Sequence, residues 1–121
     1  MVLKSFHRTD RLAAQIKREL SEILLKFEES PATGIISITE VELSKNLRLG
    51  KVFFSVLGDE SAKNMAEIFF ETHGKELRRR LGSRIRVRFL PELNFNYDNS
   101  IERGMRINEL LEKIKDEERH V

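Results

Sequence analysis

The sequence predicts an α+β fold in which helices cover one face of a three-stranded sheet, in the order α-β-β-α-α-β, with a further C-terminal helix. Three observations carry that expectation. Apolar residues recur at steps of three and four between Leu12 and Phe27, and again around Ala62–Leu81, as amphipathic helices require. β-Branched and aromatic residues crowd the stretch from Ile35 to Leu57 on either side of a polar turn. Finally, Arg84, Arg86 and Arg88 alternate with Ile85, Val87 and Phe89, which is the period of a half-buried strand.

Each element follows from local chemistry. Thr9 or Asp10 can cap a first helix reaching about Glu29, its buried face formed by Leu12, Ile16, Leu20, Ile23, Leu24 and Phe27. Ser30-Pro31-Ala32-Thr33-Gly34 ends it, because proline and glycine both break helical periodicity. Ile35 to Leu43 reads as a strand. Its apolar phase moves from Ile36 and Ile38 to Val41 and Leu43, so a bulge or twist is expected between them. Ser44-Lys45-Asn46-Leu47 turns the chain into a second strand through Val52–Leu57, making a hairpin.

Gly58-Asp59-Glu60-Ser61 supplies caps for the next helix, whose expected stripe is Ala62, Met65, Ile68, Phe69 and Thr72. That stripe is out of phase with Leu77 and Leu81, so a kink or break is expected at Thr72-His73-Gly74, giving two consecutive helices. Gly82 closes the second, and the arginine strand follows until Pro91. Asn94-Phe95-Asn96-Tyr97 continues an extended alternation, and Asp98-Asn99-Ser100 caps a last helix from Ile101 to about Lys115. One domain over 1–121 is expected, with a core at about 6–93 and an extension at about 94–121.

Charge distribution says more than the net charge of +2. Residues 75–88 hold seven cationic side chains and one acid, residues 1–11 carry +2, and the chain from Glu109 onward carries −2. On a strand, Arg84, Arg86 and Arg88 would stand roughly 6.7 Å apart on one face, a row of fixed cations suited to a polyanion. There are no cysteines, so disulfides and thiolate metal sites are excluded. His7, His73 and His120 have no metal-ligand spacing, and no phosphate loop or nucleophile motif is present. A binding protein without catalytic residues, metal or cofactor is the expectation. No apolar run resembles a signal peptide or a membrane span, so a cytoplasmic protein is expected.

The element order is that of a type II KH domain. Local motifs narrow the resemblance: Val41-Glu42-Leu43-Ser44-Lys45-Asn46-Leu47, Lys51-Val52-Phe53-Phe54, Pro91-Glu92-Leu93, Tyr97-Asp98-Asn99-Ser100 and Gly104-Met105-Arg106 follow one another in order. Arg8-Thr9-Asp10-Arg11 precedes them. Over about residues 6–108 the chain resembles the ribosome-binding factor A family of bacterial small-subunit assembly factors. The resemblance implies a monomeric KH-like domain that binds 16S rRNA in the free 30S subunit. It also implies a part in finishing the 5′ end of the precursor rRNA, particularly in the cold, and release by an assembly GTPase. Ribosomal proteins are candidate further partners.

KH domains usually grip single strands with a Gly-x-x-Gly loop, which this chain lacks. The family instead has Ala-x-Gly at a helix kink. That motif falls on His73-Gly74-Lys75 or, one residue earlier, on Thr72-His73-Gly74, neither of which holds the alanine.

The candidate RNA-binding residues are Arg8, Arg11, Lys45, Lys75, Arg78, Arg79, Arg80, Arg84, Arg86 and Arg88, of which Arg78, Arg86 and Arg88 match the family best. Each has a plainer reading. The strand arginines can merely solvate an edge, and Arg79 and Arg80 can pair with Glu71 or Glu76. Phe53 can stack on a base, although cover by another element is the commoner fate. Two other functions compete with this one: a basic face that meets an acidic protein, and a general RNA-binding protein.

Overall fold

The computed structural model describes residues 8–29 and 35–100. Its elements are α1 (Arg8–Lys26), β1 (Ile35–Leu43), β2 (Leu49–Leu57), α2 (Glu60–Gly82) and β3 (Glu92–Tyr97). The expected break at 30–34, the helix from Ile101 and the tail beyond it lie outside the described residues.

β1 and β2 form the expected antiparallel hairpin, and β3 adds to the free edge of β2 in parallel, giving the order β1-β2-β3. The pairing register shifts between Ile38 and Glu40, where the sequence phase slips, so the bulge is present at Thr39. The Thr39 hydroxyl lies 2.6 Å from Asp98 Oδ2 and donates to it, tying the bulge to the end of β3. α1 packs on β1 and α2, and α2 packs on β2 and β3. The core therefore sits between the helices and the face carrying Ile38, Val52 and Phe54.

Aromatic rings hold the sheet to α2. Phe54 lies 4.5 Å from Phe70, and Phe70 stacks on Phe95 of β3 at 4.6 Å. Phe27, just past α1, meets Phe69 edge-on at 5.5 Å. Phe53 is half-buried on the opposite face of β2 from Phe54.

Three expectations are corrected. α2 is one helix of 23 residues and runs unbroken through Thr72, His73 and Gly74. Of the expected stripe Met65, Ile68 and Thr72 are exposed, whereas Ala62 and Phe69 are buried as expected, together with Ala66, Phe70, Leu77 and Leu81. At about 100° per residue these six fall within an arc of roughly 120°, so no phase slip remains. Gly74 has a different reason to be small. A side chain there would meet the Phe95 ring at 3.4 Å, so the glycine allows β3 to pack closely on the helix.

The third strand is Glu92–Tyr97, and residues 84–89 are irregular. A strand needs an edge to pair with, and β3 occupies that of β2 from Leu49 to Phe54. Residues 83–91 instead return the chain from the end of α2 to the start of the sheet. Of their apolar residues Ile85 is buried, but Val87 and Phe89 are exposed. Finally, helix α1 begins at Arg8, so Thr9 and Asp10 lie in its first turn rather than capping it. There Asp10 still favours the positive end of the helix dipole.

Candidate nucleic-acid interface

The β1–β2 turn is built by short polar side chains. Ser44 Oγ donates to Asn46 Oδ1, which also accepts from the Arg48 N–H at 3.1 Å, and Ser44 Oγ accepts from the Leu49 N–H. This arrangement holds Leu47 at φ 59°, a left-handed conformation that costs a non-glycine residue about 1 kcal/mol or more. Arg48 leaves the turn, and its carbonyl accepts the Glu92 N–H at 2.8 Å as β3 begins.

The returning segment 83–91 is fixed beside this turn. Buried Ile85 and Pro91 anchor it at either end. Arg78 on α2 holds it from below: Nε donates to the Pro91 carbonyl at 2.8 Å and Nη2 to the Leu90 carbonyl at 2.6 Å. Both bonds carry a full charge on the donor, the stronger kind of protein hydrogen bond.

Between the turn, this segment and the start of α1 lies an open groove of about 1040 Å³. Arg8, Arg48, Arg78, Arg86 and Arg88 line it with Leu12, Leu49, Val87 and Phe89, and among the described residues Glu92 is the one carboxylate in its wall. Arg8, Arg48, Arg86 and Arg88 form no ion pair with a described residue. Five arginines gathered around a single carboxylate of the described residues create a positive potential that an anion would relieve.

The structure thus divides the ten candidate cations. Arg8, Arg78, Arg86 and Arg88 converge on the groove. Arg11 and Lys45 are exposed nearby but do not line it. Arg79 and Arg80 both bind Glu76, at 2.6 and 3.0 Å, and Arg80 also lies 4.4 Å over the Phe27 ring. Arg84 reaches Glu19 and Glu22 of α1 at 3.4 and 3.5 Å. Lys75 lines a separate depression beside Gly74 and Phe95. His73 packs between the Phe27 and Phe69 rings, and the Thr72 hydroxyl donates back to the Ile68 carbonyl.

Two groove residues escaped the sequence reading. The sequence points to Lys45 rather than Arg48 as the cation of this turn, although Arg48 is the one that lines the groove. The alternation through 84–89 places Phe89 toward the core, but the fold does not use that alternation and leaves the ring exposed.

Glu76 shows how the helix cations are neutralised. Hydrogen bonds from Arg79 and then Arg80 lower its carboxyl from the ordinary 4.5 to about 2. A folded-state value below the unfolded one stabilises the fold above about pH 4.5, and that contribution fades as pH falls toward 2. Side-chain NMR titration is expected to give a Glu76 midpoint near 2, and Glu76→Gln should remove this part of the acid sensitivity. A midpoint near 4.5 would show the pairs are not held in solution. Among the described residues no group of three or more His, Asp or Glu side chains is placed to hold a metal ion. No described helix is long and apolar enough to cross a membrane.

Helices on one face of a three-stranded sheet, with an arginine-lined groove at one end, define a KH-like α+β domain. The chain belongs to the ribosome-binding factor A family, whose model matches residues 8–111. It is 44% identical to ribosome-binding factor A of Halothermothrix orenii over 111 residues, 92% of this chain and 91% of the relative. It is 39% identical to that of Aromatoleum aromaticum over 97% of this chain and 94% of the relative. Among solved structures, ribosome-binding factor A from Thermus thermophilus superposes with a TM-score of 0.64 at 27% identity, covering 76% of this chain and 97% of that one. A Thermus thermophilus homology model fitted into a cryo-EM map of a complex with the 30S subunit gives 0.59 at 26% identity, covering 72% and 91%.

Proposed function

We propose that this protein is a small-subunit assembly factor that binds 16S rRNA in the free 30S subunit and promotes 5′-end processing of the precursor. The observation that carries the reading is the convergence of Arg8, Arg48, Arg86 and Arg88, none paired with a described acid, on one groove. Membership of the family and the relative fitted to a 30S complex support the choice of RNA. The protein acts in the cytoplasm as a single-domain monomer without catalysing a reaction. Its arginines meet phosphates, and RNA shape rather than base edges sets where it sits. Arg78 serves as a positioning residue, holding the segment that carries Arg86 and Arg88. Arg11 and Lys45 extend the basic rim. Arg79, Arg80 and Arg84 are engaged with acids and contribute less.

Salt dependence tests this. If four arginines each neutralise one phosphate of single-stranded RNA, the log–log slope of 30S affinity against salt is about −3. Replacing Arg86 and Arg88 by glutamate removes two contacts, so the slope falls to about −1.5 and affinity drops at every salt concentration. Cells carrying only the double variant should accumulate 16S rRNA with unprocessed 5′ ends, read by primer extension, most strongly at low temperature. A flat salt response with the wild-type protein, or an unchanged slope in the variant, would sink the assignment. Salt-dependent binding to an acidic protein instead would transfer the basic face to that partner.

A further inference from the structure

We infer that Phe89 is a stacking platform for an unpaired nucleobase of the RNA lying in the arginine groove. This rests on the RNA-binding reading above and adds to it the chemical form of the RNA at this point, a single-stranded nucleotide.

Phe89 is 75% exposed, and it is the one aromatic among the exposed large hydrophobic side chains of the described residues. The ring is not on a loose tip. Buried Ile85 and Pro91 flank its segment, and the Arg78 guanidinium holds the carbonyls of Leu90 and Pro91 immediately after it. An apolar ring is therefore kept at the surface on a fixed backbone.

Its surroundings select the occupant. Phe89 shares the groove wall with Arg48, Arg86 and Arg88, and the Arg88 guanidinium carbon lies 5.7 Å from the ring centroid. An apolar side chain of a protein partner would have to desolvate these cations without compensating them. A nucleotide satisfies both requirements, since its phosphate meets arginine and its base offers a flat face to the ring. A base inside an RNA duplex has both faces covered by its neighbours, so the base at Phe89 must be unpaired or extruded.

The test uses the full chain and purified free 30S subunits. Hydroxyl-radical footprinting reads the rRNA backbone, and base-modifying reagents read exposed bases. Phe89→Ala is expected to weaken 30S binding roughly 5- to 150-fold, the range that base–aromatic stacking supplies. The salt slope and the backbone footprint at saturation should persist, while protection of one or a few unpaired bases is lost. Phe89→Trp should retain affinity and base protection, and Phe89→Leu should behave like alanine. Because the ring is exposed, all three variants should melt as the wild type does by circular dichroism. Unchanged affinity in Phe89→Ala, surviving base protection, or full function in Phe89→Leu would overturn the inference. A wild-type protein that leaves no backbone footprint would overturn the RNA reading itself, and the stacking with it. A backbone footprint without Phe89-dependent base protection overturns the stacking alone.

Discussion

Arg78→Ala is expected to lower stability by about 2–3 kcal/mol and to weaken 30S binding as well, although its guanidinium is spent on the protein itself. The substitution removes two charged hydrogen bonds to the carbonyls of Leu90 and Pro91 and leaves both acceptors without that partner. For a chain of this size the melting temperature should fall on the order of 10 °C. Arg78→Lys should recover only part of the loss, since an ammonium cannot span two carbonyls as the planar guanidinium does. The contrast with Arg86→Glu/Arg88→Glu is the informative measurement. That pair is exposed, so it should melt near the wild type while losing affinity. If Arg78→Ala melts normally, the two bonds do not hold segment 83–91 in solution, and Arg78 returns to the list of direct RNA contacts.

Phe54→Ala is expected to have the largest effect on folding, about 3–5 kcal/mol. The side chain is 1% exposed, and its ring meets both Phe70 of α2 and Tyr97 of β3. Its removal leaves a cavity where the middle strand, the long helix and the last strand meet. Total stability of a domain is typically about 5–15 kcal/mol, so about a fifth or more is at stake. Urea unfolding should show a sharply lower midpoint at similar slope. A change under 1 kcal/mol would mean the aromatic cluster re-forms around the gap, contrary to the close packing described.

How much of this was legible in the sequence depended on whether a pattern was set locally. The hairpin was legible down to its bulge, because the phase shift between Ile38 and Val41 lies within the sequence of β1 itself. α1 was legible because its apolar stripe faces one continuous core. α2 is only partly legible because Met65 and Ile68 look like core residues, whereas Ala66 carries little hydrophobic signal and yet is buried beside the expected Ala62. Small side chains bring a helix close to a sheet, and hydrophobicity alone does not register that.

The arginine segment failed for a different reason. Arg-Ile-Arg-Val-Arg-Phe and Leu-Asn-Phe-Asn-Tyr both alternate with period two, so periodicity cannot choose between them. The choice falls to tertiary pairing, because a single edge of β2 is open and residues 92–97 fill it. Within the candidate site, clustering of charge was visible, but its partition was not. Whether an arginine meets Glu76, a main-chain carbonyl or open groove depends on contacts across the fold. Phe89 and Arg48 emerge for the same reason.

The parallel pairing of β3 with β2 also has a consequence in time. An antiparallel neighbour can close as soon as its turn is made, but this edge waits for the whole of α2 and the returning segment. The stretch from Phe54 to Tyr97 takes about 2–9 s to synthesise at roughly 5–20 residues per second. Throughout that interval the nascent hairpin has a bare edge from Leu49 to Phe54, with valine and phenylalanine beside it. The edge that β3 fills is therefore the last part of the sheet that the growing chain can complete, and until then nothing but the hairpin's own side chains covers it.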